Sequence, residues 1–419
     1  MEKKIIICMK SVVFPSLLLV SQAEIIDTSR KGGDLMYKIR LVDTISKNFL
    51  NRLPAPVFQI DDQRPDALLT RSSVIKDSWI TPELLAISRA GVGTNTINRT
   101  KATANGTIIM NTPGINANAV KELVLACLLT AVRPIFQAQE MVQSLSGPGL
   151  LEQAEAKRSA FVGQELQGKT VGLLGLGAIG KEVARICYEL GMDVLGYSRN
   201  TPNLEYIEQV SLENILRYSD FVIVMLPLTE ETKYLLNKER LSLMKKEAVL
   251  INVGRGEIVQ NEHLLEILNE EKLSRYITDF PNELFLGNEK VFMLPHIGGS
   301  TQEALADSSR AAIQALRNFL LFGTVRDSVN FPSVRLVFRS PYRLTVFYER
   351  TGHTLTEILR ILDKEQLLIG DMTRNHKEDY IYTLINIEST DKEKLIKAKQ
   401  RIEEFPEVKR VRLLQRPAN

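Results

Sequence analysis

The segment VGLLGLGAIG, residues 171–180, restricts the possible folds of this chain more than any other. It begins as an apolar strand, and the residues after it form an amphipathic helical pattern that ends at Gly191. Glycines spaced G-x-G-x-x-G between strand and helix allow a tight turn and a close approach of backbone to a pyrophosphate. The helix N-terminus then attracts the anion. The sequence therefore predicts a dinucleotide-binding βαβ unit, whose phosphate loop contains Gly175, Gly177, Ala178, Ile179 and Gly180.

The next strand, in VLGYSRN (194–200), lacks the acidic residue that usually follows such a loop. An aspartate or glutamate there would bind the adenosine ribose hydroxyls and repel a 2′-phosphate. Ser198 removes the repulsion, and the guanidinium of Arg199 could pair with a phosphate. In the alternative interpretation, Arg199 points to solvent or stacks on adenine. We therefore expect NAD as the cofactor, with NADP also admitted.

Composition excludes several other classes of protein. The 419 residues carry a net charge of +3 with both signs interspersed, so no basic face indicates nucleic acid. Cys8, Cys127 and Cys187 form no C-x-x-C pair and are expected to be free thiols in a reducing, cytoplasmic setting. The four histidines lack metal-ligand spacing, so no metal site is expected.

The first 35 residues leave two interpretations open. They combine a basic start, an apolar stretch and small residues near Ala23, as a signal peptide does. Lys10 and Pro15 interrupt the apolar stretch, which is too short to span a bilayer, so no membrane segment is expected. Met36 opens a clean strand and helix pattern, which favours Met36 as the true start and residues 1–35 as a non-native or disordered extension.

The rest of the chain predicts an α/β protein with three parts. Strand-like and helix-like segments alternate, which is typical of doubly wound parallel sheets. We expect a substrate domain of residues 36–135 and 306–330 and a nucleotide-binding domain of residues 136–305. Residues 302–323 read as one long helix that Gly323 ends. Residues 335–419 follow the order β-α-β-β-α-β, that of a ferredoxin-like unit.

Three polar segments follow apolar strands of the predicted nucleotide domain: INVGRGEIV (251–259), YITDFPNE (276–283) and PHIGGST (295–301). Ligands of open α/β folds bind at this carboxyl edge of the sheet. Arginine forks onto carboxylates, and histidine paired with a carboxylate is an acid–base catalyst near neutral pH. Taken singly, each polar residue here has a structural explanation; together they predict a catalytic site.

The ordered set of segments resembles the D-isomer-specific 2-hydroxyacid dehydrogenases, most closely the phosphoglycerate dehydrogenases, over nearly everything after Met36. The segments that carry the resemblance are TRSSVI, RAGVGTNTI, NTPGINANAVKELV, GKTVGLLGLGAIG, LPLTEETKYLLN, INVGRGEIV and PHIGGST. The resemblance implies that Arg255 grips the substrate carboxylate and polarises its C2 oxygen. It implies that His296 takes the hydroxyl proton and that Glu283 holds the imidazole and raises its pKa.

The resemblance also implies a set of binding residues. Asp279 would bind the nicotinamide carboxamide, and Arg71, with Ser72 beside it, would bind a substrate phosphate. The backbone N–H groups of Val92 and Gly93 would meet the substrate carboxylate. The remaining implied cofactor contacts are Pro227, Val253, Gly254, Arg255, His296, Ile297, Gly298 and Gly299.

The chain departs from the family pattern at one catalytic segment. TDFPNE lacks the valine that usually separates the aspartate from the phenylalanine, so Asp279 and Glu283 are one residue closer. Thr278 or Asp279 could therefore hold the aspartate's place, and counting from Arg255 favours Asp279.

The C-terminal unit resembles an ACT domain, a regulatory module that binds amino acids and in phosphoglycerate dehydrogenases often binds serine. Its ligand loop would be YERTGHT (348–354), where Gly352 is retained, Thr351 replaces the usual proline, and Tyr348 and Arg350 hold the polar places. His353 is expected near the start of the next helix. Serine feedback and a purely oligomerising role, in a homodimer or homotetramer, both stay open.

Three functions compete. The first is oxidation of 3-phospho-D-glycerate to 3-phosphohydroxypyruvate, the first step of phosphorylated serine biosynthesis. The second is an NADPH-preferring glyoxylate or hydroxypyruvate reductase, which Ser198 and Arg199 favour and the C-terminal unit does not. The third is a nucleotide-sensing protein without turnover, which the joint presence of Arg255, Glu283 and His296 disfavours.

Overall fold

The computed structural model describes most of the chain after residue 35. The predicted extension of residues 1–35, and Cys8 within it, lie outside the described residues, which are 36–43, 45, 47–53, 55, 57–199 and 204–417. Within these ranges, no helix is long and apolar enough to cross a membrane. Cys127 and Cys187 are buried free thiols, as predicted, and burial raises the pKa of each to about 12.

The first sheet is parallel and has five described strands in the order β2-β1-β3-β4-β5. The central strand with the sequence ALLT and the edge strand with the sequence IIM are fully buried, as the apolar run around ALLT predicts. The elements of this part are β1 (Tyr37–Leu41), α1 (Lys47–Leu50), β2 (Phe58–Ile60), β3 (Ala67–Thr70), β4 (Ala86–Arg89), α2 (Arg99–Ala104) and β5 (Ile108–Met110).

The second sheet is also parallel, with seven described strands in the order β12-β11-β10-β9-β6-β7-β8. Reversal of strand order around β6 makes it doubly wound, as predicted. Its elements are α3 (Ala117–Val132), α4 (Ile135–Gln143), α5 (Leu150–Lys157), β6 (Thr170–Leu174), α6 (Ala178–Glu189), β7 (Asp193–Tyr197), β8 (Glu208–Gln209), α7 (Leu212–Tyr218), β9 (Phe221–Val224), α8 (Lys238–Leu241), β10 (Val249–Asn252), α9 (Asn261–Asn269), β11 (Arg275–Thr278), β12 (Val291–Met293) and α10 (Gln302–Phe322). Short 3₁₀ helices cover Asp77–Trp79, Arg158–Phe161, Gly256–Ile258 and Glu283–Phe285.

Local signals account for the ends of several helices. The hydroxyl of Ser211 accepts a hydrogen bond from the Asn214 amide and starts α7. Gly191 and Gly323 adopt positive φ angles of 77° and 66° just past the ends of α6 and α10, the left-handed conformation that glycine accepts without strain. The helix α6 turns Val183, Ala184 and Cys187 toward the core at the three- to four-residue spacing of one helical face.

The third sheet is antiparallel, in the order β14-β15-β13-β16, with two helices. This is the predicted β-α-β-β-α-β arrangement, which confirms the ferredoxin-like fold of the C-terminal unit. His353 is the N-cap residue of its first helix, as expected. Its elements are β13 (Tyr342–Glu349), α11 (Thr354–Lys364), β14 (Ile369–Lys377), β15 (Tyr380–Ile387), α12 (Lys392–Glu403) and β16 (Val408–Gln415).

The chain folds into two compact units. The first unit contains the described parts of residues 1–89, 93–111 and 312–419, and the second contains 90–92 and 112–311. The first unit therefore holds the first and third sheets, and the second unit holds the seven-stranded sheet. The helix α10 belongs to the second unit up to residue 311 and to the first from Ala312 onward.

Within the first unit, buried arginines of the antiparallel sheet bind the C-terminal end of α10. Arg412 donates hydrogen bonds to the carbonyls of Phe319 (3.0 Å) and Leu320 (2.6 Å), and Arg343 donates to Phe322 (2.7 Å). These carbonyls belong to the last turn of the helix, where no intrahelical donor is available and a cation is favoured. Burial lowers the pKa of Arg343 to about 10, yet the guanidinium stays protonated at neutral pH.

Other contacts show that the docking is specific. The rings of Phe331 and Phe347 stack with centroids 3.5 Å apart, and the Tyr382 hydroxyl donates to the Gly323 carbonyl at 2.9 Å. Arg343 and Arg412 are 0% and 1% exposed. The sheet face that the helices α11 and α12 leave open is therefore covered within this unit.

We predict that Arg412→Met destabilises the fold by about 2–4 kcal/mol, because buried carbonyl oxygens lose their donors. The measurement is chemical denaturation of the full chain. The control is Arg374→Met, which removes an exposed arginine from β14 of the same sheet and should change stability little. Equal stability of the two variants would contradict the assigned role of Arg412.

Candidate functional site

The carboxyl ends of six strands of the second unit lie in one register. The ladder pairs Tyr197 with Leu174, Leu174 with Val224, Val224 with Asn252, Asn252 with Thr278, and Thr278 with Met293. The loops after these strands therefore leave the sheet along a single line. This line gathers the phosphate loop, the segment after β7, and the loops that carry Arg255, Asp279 and His296.

The phosphate loop fits a pyrophosphate. Gly175 has a φ of 108°, and a Cβ on Gly180 would lie 2.0 Å from the Gly175 carbonyl oxygen, so both glycines serve the turn itself. A Cβ on Gly177 would meet no atom within 4 Å. Packing therefore does not require glycine at 177. A ligand lying on the N-terminus of α6 would require it, because a side chain there would occupy the ligand's place. The helix α6 begins with Ala178 and Ile179.

The segment after β7 contributes an exposed cation. Ser198 is partly buried and Arg199 is exposed. The pKa of Glu231 is lowered mainly because its carboxylate accepts a hydrogen bond from the Thr229 hydroxyl (2.6 Å). The charge of Arg199 lowers it further. Glu231 lies in the loop after β9, which also contains the exposed Pro227. Arg199 is therefore the cation that the segment after β7 exposes, and Glu231 is its electrostatic neighbour.

The Arg255 loop is held by Asn252, a residue that sequence reasoning missed. The side chain of Asn252, 0% exposed, donates to the Arg255 carbonyl (2.9 Å) and accepts from the Gly254 amide (3.1 Å). A Cβ on Gly254 would lie 2.9 Å from the Leu226 carbonyl oxygen, so glycine is needed beside the half-buried Val253. Burial lowers the pKa of Arg255, and its guanidinium donates a hydrogen bond to the Gly254 carbonyl (2.6 Å).

The loop that follows His296 is fixed by the carboxylate of Asp279. Its two oxygens accept hydrogen bonds from the amides of Ile297 and Gly298, each at 2.7 Å, and Asp279 is only 2% exposed. His296 has a φ of 58°, a left-handed conformation that costs a non-glycine residue about 1–3 kcal/mol. The two charge-assisted hydrogen bonds offset this strain. A Cβ on Gly298 would come within 2.9 Å of the carboxylate, which explains glycine there.

The exposed imidazole of His296 packs against Phe280, with ring centroids 4.8 Å apart. Glu283 is exposed at the start of a 3₁₀ helix that the Asn282 side chain caps. Among the described residues, no hydrogen bond or ion pair joins Glu283 to His296. The structure therefore places the two catalytic candidates in one unit, and their pairing stays a prediction. Gly299 approaches the side chain of Asn116, which a Cβ would meet at 3.0 Å.

In the first unit, Arg71 and Ser72 lie on a loop that Asp43 anchors. The Asp43 carboxylate accepts hydrogen bonds from the Thr70 hydroxyl (2.7 Å), the Ser72 amide (3.2 Å) and the Ser73 hydroxyl (2.6 Å), and from the Arg71 amide. Burial acts to raise the pKa of Asp43, but these hydrogen bonds outweigh it and hold the pKa well below its usual range. The loop is thus fixed at the carboxyl end of β3, while the Arg71 side chain is exposed.

Val92 and Gly93 lie in the loop after β4, where Val92 is exposed and Gly93 partly buried. Val92 belongs to the second unit and Gly93 to the first. In the C-terminal unit, the Tyr348 side chain is 0% exposed, and its hydroxyl lies 3.2 Å from that of Thr383. It therefore belongs to the core of that unit, whereas Arg350 is exposed.

Asp43, Asn252 and Phe280 are the site residues that sequence reasoning missed. Asp43 and Asn252 each follow or end a buried strand, so a polar residue at a predicted carboxyl edge was the available signal. Phe280 gave no such signal, because an aromatic residue after a strand is ordinary core composition.

The family model of the NAD binding domain of D-isomer specific 2-hydroxyacid dehydrogenases matches residues 125–298. A glyoxylate reductase of Thermococcus kodakarensis is 35% identical over 276 residues, 60% of this chain and 80% of that protein. A D-3-phosphoglycerate dehydrogenase of Methanocaldococcus jannaschii is 30% identical over 335 residues, 75% of this chain and 62% of that protein. The crystal structure of NAD+-bound 3-phosphoglycerate dehydrogenase from Entamoeba histolytica has a TM-score of 0.57 at 26% identity, covering 70% of this chain and 99% of that one.

We predict that Asp279→Asn loosens the His296 loop. An asparagine would turn an NH₂ group toward one of two amide donors, so about 1–3 kcal/mol of hydrogen bonding is lost. Hydrogen exchange should show faster exchange at the amides of Ile297 and Gly298. The control is Asp193→Asn, an exposed aspartate at the start of β7. Unchanged exchange at both amides would mean that Asp279 does not hold this loop.

Proposed function

Because the chain belongs to the D-isomer-specific 2-hydroxyacid dehydrogenase family, we propose that it oxidises 3-phospho-D-glycerate to 3-phosphohydroxypyruvate with NAD or NADP. The reaction is the first step of phosphorylated serine biosynthesis. The relatives support the reaction class, since their names cover both phosphoglycerate dehydrogenases and glyoxylate reductases at similar identity. Arg71 supports the finer choice of a phosphorylated substrate.

The geometry of the Arg71 loop supports a phosphorylated substrate. The backbone amides of Arg71 and Ser72 and the hydroxyls of Thr70 and Ser73 all donate to the carboxylate of Asp43, so the position of the exposed Arg71 side chain is restricted. Among the described residues, the Arg71 guanidinium has no hydrogen bond or ion pair. An anchored arginine with unused donors suits a bidentate partner such as a phosphate. Ser72 would add a hydroxyl donor beside it.

The proposed chemistry uses three side chains of the second unit. Arg255, cationic and held by Asn252, would bind the substrate carboxylate and polarise the C2 oxygen. His296 would take the C2 hydroxyl proton as the general base. Glu283 would meet the imidazole once substrate closes the site, since catalytic hydrogen bonds often tighten only in the complex. The bound nicotinamide cofactor would accept the hydride from C2.

The backbone amides of Val92 and Gly93 would complete the binding of the carboxylate. Asp279 would have a second role beside the nicotinamide contact that the resemblance implies. Both of its oxygens already accept backbone amides of the loop after His296. We therefore propose that Asp279 acts chiefly by positioning that loop, and that a contact with the nicotinamide carboxamide uses its remaining lone pairs.

A second function is favoured by a specific observation. Arg199 is exposed and no acid follows β7, which suits the 2′-phosphate of NADP and an NADPH-dependent glyoxylate or hydroxypyruvate reductase. Sequence similarity to the Thermococcus kodakarensis glyoxylate reductase supports the same alternative. A nucleotide-sensing protein without turnover is the third possibility, and any turnover with these substrates would exclude it.

Assembly into a homodimer or homotetramer is part of this proposal. The segment after α3 exposes large apolar side chains, among them Phe136 (52%), Leu151 (68%) and Val162 (82%), in the second unit. Apolar exposure of this extent is typical of a contact surface, and we assign it to a second copy of this chain. Sedimentation of the purified protein as a monomer at all concentrations would contradict that assignment. Serine binding by the C-terminal unit stays a proposal that the same preparation can test.

We predict that Arg71→Met lowers kcat/KM for 3-phosphoglycerate by roughly 100-fold but changes kcat/KM for hydroxypyruvate little, because only the first substrate offers a phosphate. Steady-state kinetics in both directions measure this. Arg52→Met removes another exposed arginine of the first unit and is the control. Equal losses on both substrates would remove Arg71 from the phosphate site. Wild-type turnover of glyoxylate or hydroxypyruvate alone would replace the proposed function with the reductase.

We predict that Ser198→Asp raises the KM for NADP at least tenfold and leaves that for NAD nearly unchanged. A carboxylate there would repel the 2′-phosphate and accept hydrogen bonds from the ribose hydroxyls of NAD. Parallel kinetics with both cofactors measure the ratio, and Ser146→Asp adds the same charge at an exposed loop as a control. A loss of NAD and NADP affinity in equal measure would show that residue 198 does not face the ribose.

A further inference from the structure

A cavity of about 600 Å³ opens in the first unit, outside the proposed dehydrogenase site. Its lining includes Arg40, Arg64, Trp79, Thr81 and Glu83. The size is typical of small-molecule sites. Trp79 is the only tryptophan in the chain, so its fluorescence reports on this cavity alone.

One wall of the cavity is fixed by a cation and an aromatic ring. The guanidinium of Arg40 lies 5.0 Å from the centroid of the Trp79 ring, and its Nε lies 3.4 Å from a carboxylate oxygen of Asp62. The ammonium of Lys76 lies 5.4 Å from the same ring centroid. These contacts hold the indole in place and already use much of the charge of Arg40.

Two further charges of opposite sign line the cavity and do not pair with each other. The pKa of Glu83 is lowered, first by a hydrogen bond from the Thr81 side chain and also by the nearby charges of Arg410 and Arg64. Arg64 also has a φ of 47°, a strained left-handed conformation of a kind that clusters at ligand sites. A cation and an anion that line one cavity without forming an ion pair suit a ligand that carries both charges.

The Glu83 wall is fixed from the C-terminal sheet. Arg410 of β16 donates hydrogen bonds to the carbonyls of Pro82 (2.6 Å) and Leu84 (3.1 Å), on either side of Glu83. It also donates to the carbonyl of Gly106 (2.8 Å), and a Cβ on that glycine would lie 2.8 Å from the Cβ of Arg410. These hydrogen bonds from Arg410 therefore fix the position of the segment that contains Glu83.

We propose that this cavity binds a small zwitterion, the chemistry of a free α-amino acid. Arg64 binds the carboxylate, Glu83 binds the ammonium group, and the side chain lies against the edge of Trp79. The proposal does not depend on the dehydrogenase function, and its test needs neither cofactor nor turnover.

The test is titration of the full chain with single L-amino acids other than tryptophan and tyrosine, followed by Trp79 emission. We expect a saturable change with at least one of them. Acetate and methylammonium each carry only one of the two charges and should bind more weakly by roughly tenfold or more. Absence of a saturable change with every amino acid would overturn the proposal, and equal binding of acetate would reduce the cavity to a simple anion site.

Two variants connect the signal to the cavity. Arg64→Met and Glu83→Gln should each weaken the amino acid by roughly tenfold or more, because each removes one charge-assisted contact. Arg158→Met and Glu155→Gln make the same charge changes on exposed residues of the other unit and serve as matched controls. Unchanged thermal melting of the variants shows that they fold. Wild-type affinity in both cavity variants would overturn the assignment.

Discussion

The parallel register of the seven-stranded sheet is the constraint on which the candidate site depends. Six strands reach their last ladder pairs along one row, from Tyr197 through Asn252 to Met293. The next backbone amides, such as those of Gly175, Met225 and Asp279, still donate to carbonyls of this row, and beyond them the chain leaves the sheet. This is where the phosphate loop, Arg255 and His296 are found. The carboxyl edge of the sheet thus becomes the place where ligand groups can be bound.

Single buried side chains then organise the loops beyond that edge. Asn252 and Asp279 each hold a functional loop by bonding to its backbone, and Asp43 bonds both to backbone amides and to hydroxyls of its loop. Such an arrangement leaves the side chains of His296 and Arg71 available for substrate, while Arg255 donates one hydrogen bond to the Gly254 carbonyl and keeps its other donors. At the end of α10 the charges are reversed, since the arginines of the C-terminal sheet bind carbonyl groups there. Each ionised group is compensated by several peptide dipoles, which lowers the cost of burying it.

Much of the architecture follows from local sequence. Apolar runs predicted the strands around Val171–Leu174 and Phe221–Val224, and Gly323 correctly marked the end of α10. The order of elements after residue 335 was sufficient for the ferredoxin-like fold. The docking of that fold was not foreseen, because Arg343 and Arg412 in an alternating strand read as solvent-facing residues. Their partners are backbone carbonyls, which carry no sequence signal.

In the candidate site, too, the sequence predicted one part of the arrangement and the tertiary structure decided the other. Sequence alone identified the glycine loop, the missing acid after β7, and the loops of Arg255, Asp279 and His296, because residue type and spacing state the chemistry that is available. It did not show that both carboxylate oxygens of Asp279 accept hydrogen bonds from the amides of Ile297 and Gly298. Nor did it show that Phe280, and not Glu283, packs on the imidazole of His296. Those contacts join separate strands and loops, and only the register of the folded sheet decides which groups come within hydrogen-bonding distance.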